Sequence, residues 1–154
     1  MAVAPHRVEQ VVQMHGGSNK AVKIKKALID EPSDGVETLT GIILPTNALV
    51  EDVWVKVITT DSGGTLDVGT SGDLSDDPNG YLDGISLTAD ASTALRFGSL
   101  ASGAVTLGAL MIETGASSAL RIPDVYSGGE EVSITHNQGT NATKFEVFVK
   151  YLEL

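Results

Sequence analysis

The sequence predicts an all-β protein: an antiparallel β-sandwich, jelly-roll-like, with an extended N-terminal arm. Three observations carry that expectation. Residues 49–59, LVEDVWVKVIT, set Leu49, Val53, Val55 and Val57 on one face and Asp52 and Lys56 on the other. Residues 144–154 repeat the pattern, with Phe145, Val147, Val149 and Tyr151 opposite Glu146 and Lys150. Between them, short apolar pieces alternate with Gly, Asp, Ser and Asn turns at roughly 8–15-residue spacing, and no stretch has long helical periodicity.

Each element follows from local chemistry. Residues 1–20 read as an arm and 21–154 as the sandwich domain. Val8, Val11 and Val12 allow a short helix or strand, which His15-Gly16-Gly17-Ser18-Asn19 ends. Residues 21–29, AVKIKKALI, alternate Val22 and Ile24 with Lys23 and Lys25 and predict a strand. Pro32 and Gly35 make the following turn, one fixing φ and the other free to adopt φ > 0. Residues 38–44, TLTGIIL, predict a second strand closed by Pro45-Thr46-Asn47, and residues 49–59 a third.

The second half is more broken. Residues 65–68 predict a short strand, 74–80 a loop and 82–87 a short strand; 88–100 has no clear period. Residues 105–113, VTLGALMIE, predict a strand, as do 117–122 and 132–136. The last strand, 144–154, alternates as an integral member of a sheet does.

Composition narrows the function classes. The chain has 154 residues, one domain's worth, and 42% are apolar, which suits a globular core. No apolar run approaches the roughly 20 residues of a helical membrane span. The opening MAVAPHRVEQVVQMH lacks a secretory h-region, so synthesis in a cytoplasm is expected. There is no cysteine, which removes disulfides, thiolate metal sites and cysteine nucleophiles. Net charge is −10 and unevenly spread. Residues 1–26 carry Arg7, Lys20, Lys23, Lys25 and Lys26 against Glu9, net +4, which leaves −14 for residues 27–154. An acidic body repels nucleic acid, and a basic arm on it favours docking onto an acidic surface. The alternative is that the lysines line one solvated strand face.

Few residues invite chemistry. Asp61, Asp67, Asp73, Asp76, Asp77, Asp83 and Asp90 crowd one region, and loops of this kind supply oxygens to calcium. Asp73, Asp76, Asp77 and Asp83 are the weak calcium candidates. The run lacks the Glu and Gly positions of an EF-hand, and Asp and Asn serve β-turns without any metal. His6, His15 and His136 form no metal-binding pattern and read as surface or capping residues. No GxSxG motif is present, and the Gly63-Gly64 and Gly128-Gly129 pairs do not open helices. Asn141-Ala142-Thr143 matches a glycosylation sequon with no secretory signal beside it. Trp54 shares a face with Asp52, Lys56 and Ile58; it is an interface anchor if that face meets solvent and a core residue if it is covered.

The wording of residues 41–86 resembles a family of tailed-bacteriophage virion proteins. The matches are Leu44-Pro45, Asn47-Ala48 and Val50, then residues 65–69, TLDVG, then residues 77–84, DPNGYLDG. Gly139, Thr140 and Ala142, with a final strand reaching Tyr151, extend the likeness, which covers about residues 36–154. The resemblance implies an all-β, capsid-associated protein of the decoration (cement) or head-fibre kind, without catalytic residues or cofactor. The expected partners are the major capsid protein and copies of itself, in a trimer on the capsid exterior; nucleic acid and membrane are not expected. The adhesive element expected is the basic set Arg7, Lys20, Lys23, Lys25 and Lys26. Two rival readings are a carbohydrate- or receptor-binding jelly-roll module, against which the low number of aromatics counts, and a calcium-dependent hydrolase built on the Asp loop.

Overall fold

The alternating stretches become strands packed in two layers. A computed structural model describes residues 7–13, 22–71, 77–88, 95–98, 107–114, 119–121, 124–126, 131–137, 139 and 143–154. Among the described residues the strands are β1 (Arg7–Gln13), β2 (Val22–Asp30), β3 (Glu37–Ile43), β4 (Ala48–Thr59), β5 (Thr65–Ser71), β6 (Asp77–Ser86), β7 (Leu95–Phe97), β8 (Ile112–Thr114), β9 (Ala119–Arg121), β10 (Asp124–Tyr126), β11 (Glu131–Asn137) and β12 (Lys144–Glu153). The first sheet runs β1-β2-β12-β4-β10, with β7 also pairing β4; the second runs β3-β11-β5-β6; β8 and β9 pair separately. All these strand pairs are antiparallel. The sandwich is therefore the predicted one.

The centre of the first sheet is β12. It is hydrogen-bonded along its length to β2 on one side and β4 on the other, with Phe145 opposite Ile29 and Val57 and Val149 opposite Lys25 and Val53. Its predicted apolar face, Phe145, Val147, Val149 and Tyr151, is buried. Opposite it lie Ile42 within β3 and Leu44 just after it, Leu66 and Val68 of β5, and Val132 and Ile134 of β11, all buried in one core. Removing each such side chain from water contributes about 1.5–3 kcal/mol.

Three local expectations change. The alternation of β4 is broken by a bulge opposite Lys150 and Tyr151, so Ala48 and Val50 enter the core while Leu49 is only half-buried. The predicted loop 74–80 is partly strand, because β6 begins at Asp77. In place of a strand through 105–113, a 3₁₀ turn (Ala109–Met111) leads into β8. Gly108 donates to the Tyr81 carbonyl at 3.0 Å, so this segment packs across β6. Leu107 makes an isolated antiparallel bridge to Leu82 of β6, the edge strand of the second sheet, and the turn ends the pairing there.

Candidate functional site

Charge is distributed by sheet. The strands β3, β5, β6 and β11 carry Glu37, Asp67, Asp77, Asp83 and Glu131 and not one Lys or Arg. The strands of the first sheet carry Arg7, Lys23, Lys25, Lys26, Lys56, Arg96, Lys144 and Lys150, nearly matched by Glu9, Asp30, Glu51, Asp52, Asp124, Glu146 and Glu153. The contrast the sequence draws between N-terminal arm and body is also a contrast between the two layers.

Within the first sheet the lysines are partnered. Lys23 Nζ lies 2.5 Å from Glu153 Oε1, Lys26 Nζ 3.4 Å from Glu146 Oε1, Lys144 Nζ 2.8 Å from Asp30 Oδ2, and Lys150 Nζ 3.0 Å from Glu51 Oε2. The parity of β2 explains Lys25. Ala27 and Ile29 are buried, so Lys23 and Lys25 share their inward side at the open end of the sandwich. Lys25 reaches across to donate to the Ile43 carbonyl, and its ammonium sits 5.9 Å from the Tyr151 ring centroid. Burial, reinforced by Lys23, lowers the Lys25 pKa, against a raising influence from Glu153. Burial raises the Tyr151 pKa, with Glu153 adding to it. Of the basic set, Arg7 starts β1, and Lys20 lies outside the described residues.

Trp54 lies on the outward face of β4, half-buried. Its ring stacks on Phe148 with centroids 5.2 Å apart and planes 3° from parallel. Register explains the pair, since Phe148 stands opposite both Trp54 and Lys26. Glu146, next along that face, lies between Lys26 and Lys56, whose Nζ is 3.9 Å from Glu146 Oε2. This is a flat aromatic platform with balanced charge around it.

The acidic segment divides. Asp73 and Asp76 lie outside the described residues. Asp77 opens β6, half-buried, and Asp83 is exposed in the same strand. Among the described residues no three carboxylate or imidazole groups gather as metal ligands do. Asp67 is fully engaged in structure: its Oδ1 accepts from Gly84 N at 2.7 Å and its Oδ2 from Asn137 Nδ2 at 2.8 Å.

His136 is a correction to the surface reading. It is fully buried, and its Nε2 lies 2.8 Å from Oδ2 of the equally buried Asp61. Gly139 makes room for the pair, since a Cβ there would overlap Asp61 Oδ2. The pair joins the turn after β4 to the end of β11, and Gly35 N donates to the His136 carbonyl at 2.7 Å. With neither side chain open to solvent, it is a fastener for the loops at this end. No local motif announces it, because the partners are 75 residues apart.

One surface feature escapes the sequence reading. Val36, Leu39 and Ile43 are 52%, 47% and 58% exposed, along or just before β3, the edge strand of the acidic sheet. Residues 38–44 carry apolar side chains on both parities; the core takes Ile42 and Leu44 and leaves Leu39 and Ile43 outside.

No protein-family model matches the chain, and no curated protein matches it. Among solved structures, it is similar to a chain in the acidic stable capsid structure of Helicobacter pylori bacteriophage KHP30. The TM-score is 0.53 at 14% identity, over 95% of this chain and 93% of that one. At that identity the likeness is one of fold, and it runs almost end to end through both chains.

Proposed function

We propose that this chain is a non-enzymatic structural protein of a phage virion that binds the outside of the capsid and stabilises it, as a decoration or cement protein acting as a trimer. The observation that carries the reading is the near-complete overlap in fold with a chain from a phage capsid structure. The strand interleaving supports the jelly-roll part: β12 sits between β2 and β4 in one sheet, and β11 between β3 and β5 in the other. Two nested Greek keys produce that order.

The mechanism is mechanical. A subunit seated across neighbouring capsomers buries surface on both, and pulling them apart re-exposes it. The first twenty residues are the tether in this reading, with β1 inside them already paired to β2 as the edge of the first sheet. Lys23, Lys25 and Lys26 contribute mainly within the sheet, where they already have partners. The test uses heads assembled from the shell protein encoded in the same genome. Added protein should saturate a fixed number of sites and raise the temperature at which heads break. Deleting residues 1–20 should abolish binding. Normal occupancy by the truncated chain overturns the tether, and heads that ignore the full-length chain overturn the function.

A further inference from the structure

We infer that the ridge formed by Leu39 and Ile43 on the outward side of β3, with Val36 exposed just before the strand, is the seat for the shell protein, and that the surface it receives is apolar and bordered by Lys or Arg. This rests on the proposed virion role and names the part of the molecule that performs it. These are three of the six large apolar residues that stand exposed among the described ones, gathered within eight positions of chain. Exposed apolar groups concentrated on an edge strand mark a contact surface or an aggregation hazard.

Charge selects the occupant. Ile43 stands opposite Glu131 in the β3–β11 register, and Glu37 opposite Thr135, so carboxylates border the ridge at both ends. Glu31 and Asp34, both exposed, precede it in the chain. The cation nearest along β3, Lys25, comes from between the sheets and is bound to the Ile43 carbonyl. A second copy pairing through the same ridge would set these carboxylates against their own counterparts, and like charges in opposition destabilise a strand contact. A cationic rim on a different protein satisfies them.

The backbone selects the mode. Gly41 has φ +79 at a bulge in β3, a conformation that favours glycine. Its amide donates to the Glu131 carboxylate, and the Ile42 amide donates to Thr40 Oγ1 at 3.1 Å. Two successive donors of the bulged strand are thus occupied by the chain's own side chains, that of Gly41 on the side of the paired strand β11. A bulge of this kind blocks strand addition. The shell protein therefore meets the side chains of β3 and does not extend the sheet. The ridge also lies on the flank where β1 and β2 approach β3, so β1 and the seat fall on the same side of the sandwich.

The experiment measures binding of Leu39→Asp, Ile43→Asp and Glu37→Lys to the same heads. All three side chains are exposed, and unchanged circular dichroism and melting confirm folding. Each Asp variant should weaken head binding about tenfold or more, the loss expected when one large apolar contact is replaced by a charge. Glu37→Lys should weaken it less and reverse its salt dependence. Hydrogen exchange on the unmodified chain gives a reading independent of any variant: amides 36–43 should gain protection on heads. Unchanged affinity in both Asp variants, or protection confined to other strands, overturns the ridge while leaving the virion role intact. Conversion of a free oligomer to monomer by the Asp variants, with head binding unchanged, reassigns the ridge to self-association and also overturns it. If the unmodified chain leaves heads bare, the virion role itself fails.

Discussion

The two sheets of this sandwich solve the same packing problem with different materials. The first is long, with β12 paired on both sides over its length and register shifts only at the two ends of its pairing with β4. Its outward face is a mosaic in which Lys26, Lys144 and Lys150 each meet a carboxylate, and Lys23 on the inward side meets Glu153. The second is shorter and repeatedly interrupted, with register shifts between β11 and β3 and between β5 and β6. It carries only carboxylates as charged strand residues, and an apolar ridge at its edge. A surface whose charges are internally satisfied has little left to offer a partner. A surface whose strands bring carboxylates and no lysine or arginine, beside exposed apolar side chains, does. The difference separates the layer that holds the domain together from the layer that presents it.

Substitutions can break this division, beginning with the largest effect. Phe145→Ala in β12 removes a fully buried ring facing the second sheet and should cost about 3–5 kcal/mol by urea unfolding. A loss below 1 kcal/mol would mean the long sheet is not the keystone. His136→Ala leaves Asp61 buried without its imidazole and should cost about 1–3 kcal/mol. That loss would fall on the bulged layer and the loops closing its end.

Gly69→Ala tests how tightly the second sheet is covered. Its Cβ would collide with the Asp77 carbonyl and Pro78, backbone that cannot swing aside, so about 1–3 kcal/mol should be lost. A neutral result would mean the start of β6 does not press on β5.

Alkaline titration sharpens the contact where the layers meet. Lys25 has a pKa below 10.5, so between its folded value and 10.5 the unfolded chain binds more protons and stability rises with pH. Tyr151 has a pKa above 10.0, so between 10.0 and its folded value the folded chain holds the extra proton and stability falls. Lys25→Met should remove the rise and Tyr151→Phe the fall, read from melting temperatures across pH 8–11. The smallest effect belongs to Lys144→Met. Its partner Asp30 is partly exposed, and such pairs contribute about 0–1 kcal/mol.

The long sheet was the more legible part of the sequence. Period-two alternation in residues 49–59 and 144–154 identifies β4 and β12 and their inward faces, because one parity is apolar and the other charged. The ridge was hidden by the opposite circumstance. In TLTGIIL both parities carry apolar residues, so the outward set cannot be told from the inward one without the partner strand. Lys25 was misleading for a related reason: a lysine normally marks the solvent side, yet Ala27 and Ile29 fix its parity as inward. The fastening of His136 to Asp61 depends on tertiary closure over 75 residues, and nothing local encodes it. The proposed capsid association rests on family wording in the sequence, and the likeness of fold stands beside it.

The most direct test of the account is a cryo-electron microscopy reconstruction of heads incubated with saturating purified chain. The account predicts added density on the outer surface that accepts the two-layer sandwich, with the β1–β2–β3 flank against the shell. Heads with a bare outer surface under those conditions, or with density only inside the shell, would contradict it.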